Sequence, residues 1–337
     1  MLQSKKWINK INNKKLIEGK QTMVKRQKKD VHQVITNQVL DAIDYAKANN
    51  IKLNWTKSWK SGKAISRPLR SAPFGTPYKG INALLLLMSA SINGFDSPYF
   101  MTYKQAQEIT GLKKPVITGS KGTMVVFYKQ LTREEKTTDS NGVETVQEVG
   151  IPMLRTFTVF NACQVEGLPE KFFPSKQDEK ELEQNQDSKI DYIEEFFSNQ
   201  NAKEFESNGG AFYRPSDDSI HMPKFERFSS SSAAYSVRSH EFMHWTGSDH
   251  RLKRGLSAYD RPSYAFEELV AELGAAFLMS DFGLLQEPSE DTIAYLDSWS
   301  KCLKENKKAI FKACTLASQG VDFMHDLNEK ANNNKAA

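Results

Sequence analysis

Residues 239–251 read "SHEFMHWTGSDHR". His240 and His244 are four apart, so on a helix both point from one face toward a single ion. Imidazole nitrogen is a good zinc ligand, and a catalytic zinc keeps three protein ligands and one water. Glu241 sits beside the pair, where a carboxylate can take a proton from that water as general base. The serines of "SSSSAAYSVRSHEFMHWTG" can cap the start of such a helix, and Gly247 can end it. The spacing predicts a site for one zinc ion, with another divalent metal as the alternative.

Two regions compete to supply the third ligand. "HEFMHWTGSDH" fits HExxHxxGxxH, a pattern in which the chain turns at the glycine and a third histidine swings back; this nominates His250. Downstream, "YAFEELVAELGAAFLMSDF" places Phe266, Leu269, Val270, Leu273 and Phe277 on one helical face, and the rest is nearly apolar. Glu267, Glu268 and Glu272 interrupt it. A buried carboxylate is costly unless it is paired or bound to metal. Glu268 and Glu272 are four apart, so one can ligate while the other accepts a hydrogen bond from a ligand histidine.

The elements that must carry these residues are legible in outline. Residues 30–50 read as an amphipathic helix, "INALLLLMSASING" as a buried helix ended by Gly94, and "TYKQAQEITG" as a short helix ended by Gly111. "GTMVVFYKQL" and "RTFTVFNACQV" read as strands, with "EEKTTDSNGVETVQEVGI" as a polar hairpin insert between them. "KLNWTKSWKSGKAISRPLRSAPFGTPYKG" reads as loop. "KIDYIEEFFSNQ" reads as a helix, and "GGAFYRPSDDSIHMP" as two strands around a Pro-Ser-Asp-Asp turn. The polar run at 174–189 sets a boundary. The expected organisation is a basic disordered tail over 1–29, a first domain over 30–173, a linker over 174–189, a second domain over 190–325 and a disordered tail over 326–337.

Charge is uneven along the 337 residues. Residues 1–150 carry a net charge of +14 and residues 151–337 a net of −9, though the tail supplies much of the positive excess. That asymmetry points the first half toward a polyanion. Aromatic and basic residues interleave there, and Trp55, Trp59, Tyr78, Lys79, Tyr103, Lys104, Lys121 and Lys129 are the candidates to stack on bases and track phosphates. Composition alone does not separate DNA from RNA. Three widely spaced cysteines and no signal-like or membrane-spanning run predict a cytoplasmic protein with no membrane partner. Met23 stands just before the first helix, so either Met1 or Met23 can serve as the start codon.

"HEFMHWTGSDHRLKR" followed by "YAFEELVAELGAAFL" resembles the C-terminal zincin-like domain of the ArdC-type antirestriction proteins. "WTKSW", "PYKGIN", "SPYFMTYKQAQEITG", "VITGSKGTMVVFYK" and "RTFTVFNACQVEGLP" resemble the family's N-terminal single-stranded-DNA-binding domain, with Phe100 where relatives often carry tryptophan. The resemblance implies an α+β fold in two domains, a DNA-binding domain followed by a zincin-like metallopeptidase domain. It implies single-stranded DNA and an unidentified protein substrate as partners, and a plasmid or phage role in protecting entering DNA from restriction. The run of Glu267, Glu268 and Glu272 resembles the glutamate-donating helix of gluzincins, which makes Glu268 the expected third ligand, with Glu272 orienting a histidine. His250 remains the alternative ligand. Tyr213 and His221 are candidates to assist an oxyanion, and the strand pair from Tyr213 to Met222 is a candidate edge for a bound peptide. Two rival readings stay open. In one the protein only masks DNA and the zincin fold is a silent scaffold; in the other it is a DNA–protein-crosslink protease.

Overall fold

The computed structural model of the chain describes residues 30–48, 67–138, 144–173, 186–255, 261–284 and 290–336. Trp55 and Trp59 lie outside these residues, as does the 1–29 tail.

The first half is built on a mixed sheet. Helix α1 (Val31–Ala48) precedes strands β1 (Leu69–Ser71) and β2 (Phe74–Pro77), helix α2 (Ile81–Asn93), strand β3 (Tyr99–Thr102), helix α3 (Tyr103–Thr110) and strands β4 (Thr123–Thr138) and β5 (Glu144–Asn161). The strand order is β2-β1-β3-β5-β4, with β1 parallel to β3 and the other pairs antiparallel. The apolar run of α2 buries Leu84, Leu85, Leu86 and Leu87, and Gly94 closes the helix at φ 69°, a left-handed conformation that favours glycine. Helix α3 starts in a capping box between Thr102 and Gln105.

The sheet holds more strands than the sequence reading predicts. β1, β2 and β3 lie in sequence that reads as loop or as the lead into a helix, because each is only three or four residues long. The described parts of the polar segment, residues 134–138 and 144–151, pair with each other as a hairpin and continue β4 and β5 as one ladder, without a break from Thr123↔Val159 to Thr138↔Glu144.

The second half is mainly helical. Helix α4 (Gln186–Ser198) leads to strands β6 (Lys203–Glu206), β7 (Phe212–Arg214) and β8 (Ser219–Met222), then to helices α5 (Ser231–Thr246), α6 (Arg261–Asp281), α7 (Glu290–Glu305) and α8 (Ala309–Ala336). The three strands form a sheet in the order β6-β8-β7, so β7 is an edge. Residues 326–336, expected within a disordered C-terminal tail, are instead the end of α8, where the buried Asn328 accepts a hydrogen bond from Asn199 at 2.8 Å. That polar anchor is invisible to hydrophobic periodicity. Among the described residues no helix is long and apolar enough to cross a membrane.

The two halves share a core. Ile35, Val39 and Ile43 of α1 and Leu84 to Leu87 of α2 join one buried cluster with Leu269, Phe277, Trp299, Ile310 and Val321 of the helical half. A buried polar joint reinforces it. Asp281, at the end of α6, accepts the backbone N–H of Arg67 at 2.7 Å and pairs with its guanidinium at 3.2 Å. His325 Nε2 lies 2.9 Å from Oδ2, the oxygen that the guanidinium meets at 3.2 Å. Asp322 of α8 takes both Arg67 and Lys79.

Candidate metal centre

Helix α5 carries the histidines and α6 the carboxylates. Ser230 caps α5, its hydroxyl accepting the Ala233 N–H at 3.0 Å. Close approach of the helices depends on small residues. A Cβ added at Gly274 of α6 would lie 2.3 Å from the Met243 sulfur, and one at Gly320 of α8 3.0 Å from the same atom. Met243 of α5 therefore occupies space that both neighbours leave open.

This crossing brings three ligand atoms together. The Nε2 atoms of His240 and His244 are 3.1 Å apart. Glu268, 5% exposed, bridges them, one oxygen 3.3 Å from His240 Nε2 and the other 3.4 Å from His244 Nε2. One ligand atom from each of the three lies within 4.8 Å of the others. The opposite ring nitrogens also face carboxylates: His240 Nδ1 is 3.5 Å from Glu272 and His244 Nδ1 is 3.5 Å from Glu267. An imidazole with a carboxylate behind it is fixed in orientation and made a stronger ligand.

The electrostatics fit a cation. Burial opposes charge on the two imidazoles, but hydrogen bonding to the surrounding glutamates outweighs it. His240 is raised well above the ordinary histidine value, and His244 is raised to about 9. Burial likewise opposes ionisation of Glu268, and the two histidines hold it well below the usual carboxylate range. Three carboxylates around two imidazoles thus demand positive charge, and the donor set of two imidazoles and a carboxylate suits a divalent metal. Glu241, 7% exposed, is buried beside these groups.

His250 does not join the trio. It is exposed, and the metal-capable group among the described residues contains His240, His244 and Glu268. The reason is Arg251. Its Nε donates to the Trp245 carbonyl at 2.6 Å, its guanidinium lies 3.9 Å from the Trp245 ring centroid, and it pairs with Asp218. The turn after α5 is anchored by the arginine, which leaves the preceding histidine outside.

Sequence reasoning missed the second half of the histidine support. Arg254 binds Glu267 at 2.7 Å, donates to Thr246 Oγ1 at 2.8 Å and also reaches the Met243 carbonyl. Gly247 ends α5 with φ −81°, so no left-handed turn requires it there. A Cβ there would meet the Arg254 guanidinium at 2.7 Å, so any larger residue would have to displace that side chain from its place beside Glu267. An arginine this far past the motif carries no spacing signal of its own.

The oxyanion candidates are differently employed. Tyr213 donates its hydroxyl to Asp218 at 2.9 Å; burial, reinforced by that carboxylate, pushes its phenol up to about 12. His221 faces away from the buried Ile220 and stacks between Phe205 and Phe212, at centroid distances of 5.4 and 4.6 Å.

The candidate DNA residues divide. Tyr78 is 4% exposed, with the Arg70 guanidinium over its ring at 4.9 Å, so it belongs to the core and offers no open face. Tyr103 is 39% exposed, and its hydroxyl donates to the Lys113 carbonyl. Lys104 is exposed and pairs with Glu108 at 3.6 Å, Lys121 is exposed before β4, and Lys79 reaches Asp322 at 2.7 Å. Lys129 lies on β4, its side chain outside the described residues.

Comparisons with known proteins match two families to two stretches of the chain. Residues 29–160 match the family described as the N-terminal domain of anti-restriction factor ArdC, and residues 191–316 match the zincin-like metallopeptidase family MPTase-PolyVal. An uncharacterized protein of Sinorhizobium fredii, y4eC, is 31% identical over 307 residues, covering 91% of this chain and 95% of the relative. The DNA primase TraC of Escherichia coli is 31% identical over 315 residues, covering 90% of this chain but 28% of the primase. Among solved structures, the metal-free antirestriction protein ArdC from the R388 plasmid superposes with a TM-score of 0.70 at 33% identity, over 89% of this chain and 98% of that one. Its Mn(II)-bound form gives 0.68 at 32% identity, with the same coverage.

Proposed function

The chain belongs to the ArdC antirestriction family and carries a zincin-like domain, and from that premise we propose that it binds single-stranded DNA and holds a metal-dependent peptidase site. The observation that carries the catalytic half is the trio of His240, His244 and Glu268, each histidine backed by a further carboxylate.

His240, His244 and Glu268 would hold the ion, zinc first by donor chemistry, with manganese a competitor since a solved relative binds Mn(II). When bound, a divalent ion supplies Lewis acidity at the carbonyl to be cleaved. Glu241 accepts a proton from the attacking water and returns it to the leaving amine. Glu272 and Glu267 orient the two imidazoles, and Arg254 holds Glu267 in place. Strand β7, at the sheet edge, lets an extended peptide add as a further strand.

Protection of entering DNA is assigned to masking, because coating a strand requires occupancy and not hydrolysis. The deciding experiment is Glu241→Gln. Turnover of a casein probe should fall by a factor on the order of a hundred or more, the usual scale for losing a general base. Oligonucleotide binding and metal content should hold. Transfer of DNA into a restricting host should stay protected at matched protein levels. Loss of protection with DNA and metal binding intact would replace masking by cleavage of a protein target.

A further inference from the structure

A second site lies where the two halves meet. A cavity of about 440 Å³ opens between the start of α2, strand β4 and the start of α8. Its lining includes Lys79 from the first half and Lys308 and Lys312 from the second. Lys79 shares Asp322 with Arg67. Among the described residues neither Lys308 nor Lys312 has a carboxylate at ion-pair distance, and the nearby Asp30 is taken by Lys307 at 2.6 Å.

The cavity is also shaped at its floor and rim. Gly80 holds φ 61°, and its N–H donates to Ser318 Oγ at 2.8 Å, which ties the start of α2 to α8. The first turn of α2 has no acidic residue and no side-chain cap, and Ile81 and Asn82 line the cavity. Such a helix start favours a bound anion. On one side His32 packs against Phe311 at a centroid distance of 4.7 Å and meets the Tyr128 hydroxyl at 3.1 Å. Tyr128 is 60% exposed, so its ring keeps an open face, and it lines the same cavity as the three lysines.

We infer that this cavity binds one nucleotide unit, its phosphate held by Lys79, Lys308, Lys312 and the start of α2 and its base stacked on Tyr128. The volume falls in the range of small-ligand sites, and base stacking tolerates any sequence. The phosphate can come from a free nucleotide or from within a strand that crosses both halves. The strand source rests on the DNA-binding reading; the free-nucleotide source does not.

The test uses the full chain. Calorimetric titration should show binding of dTMP and none of thymidine. Lys308→Glu/Lys312→Glu, at exposed positions, should weaken dTMP at least about tenfold by adding like charge to the phosphate. Lys203→Glu/Lys330→Glu, at exposed positions outside the cavity lining, should leave it unchanged. Tyr128→Ala should weaken dTMP but not inorganic phosphate. Anisotropy of a labelled dT oligonucleotide across salt separates the sources. A salt slope that the cavity double variant makes shallower, by about 0.7 for each phosphate it no longer neutralises, assigns the site to the strand. An unchanged slope with abolished dTMP binding assigns it to a free nucleotide. Wild type that binds dTMP but not the oligonucleotide sinks the DNA reading and leaves the cavity's role intact. Wild type that fails to bind dTMP, or a cavity double variant that binds it as tightly, overturns the inference.

Discussion

At the scale of residues, the proposed centre predicts different outcomes for ligands and for supports. Glu268→Ala removes the carboxylate between the two imidazoles, so metal content of the purified protein should fall to near zero by elemental analysis. His250→Ala should leave metal content unchanged, because His250 is exposed and outside the trio. Glu267→Gln and Glu272→Gln should keep the metal but weaken it by about 10–100-fold in competition with a chelator, the usual scale for losing such a support. The period of four nominates the histidines, and the carboxylate run in an apolar helix leaves Glu267, Glu268 and Glu272 open beside His250; only the family resemblance singles out Glu268. The Arg254–Glu267 pair was not legible, since it depends on how the turn after α5 folds back.

At the scale of elements, the α5–α6 crossing sets the distance between histidines and glutamates. Gly274→Ala drives a methyl group into Met243, which is fully buried and also meets Gly320. Overpacking of this kind costs about 1–3 kcal/mol, so the melting temperature should fall and metal affinity should fall with it. Unchanged stability and affinity would mean that Met243 finds another rotamer and that the crossing has slack. Helices α2 and α3 were legible because each runs to a terminal glycine, Gly94 and Gly111. Strands β1, β2, β3 and β6 were not, because three or four residues cannot establish alternation, and neighbours across the sheet define them. Helices α7 and α8 were not read from the sequence at all, and the end of α8 is anchored by asparagines bonded to α4.

At the scale of the whole molecule, the division into two domains by sequence resemblance is crossed by one continuous core. Full-length protein should therefore unfold in a single calorimetric transition, and the first half alone should melt well below it. Two separated transitions would show that the shared cluster contributes little. The joint at Asp281 should also tune acid stability. Asp281 is buried, which opposes its ionisation, but Arg67 and His325 hold it below the ordinary value of 3.8. Its contribution is full above that value and is lost as pH falls through the lower folded value. Urea titrations should show wild type losing stability more steeply than Asp281→Asn below about pH 4, while Asp281→Asn is already weaker at neutral pH by about 3 kcal/mol or more, since it leaves Arg67 less compensated. Arg67 and Asp281 have a further consequence for descent. A recombinant that replaced the first half with that of a diverged cousin would have to supply a matching cation and matching apolar faces at once. Exchange of one half by itself is therefore penalised at the level of folding, and the heritable unit is the joined pair.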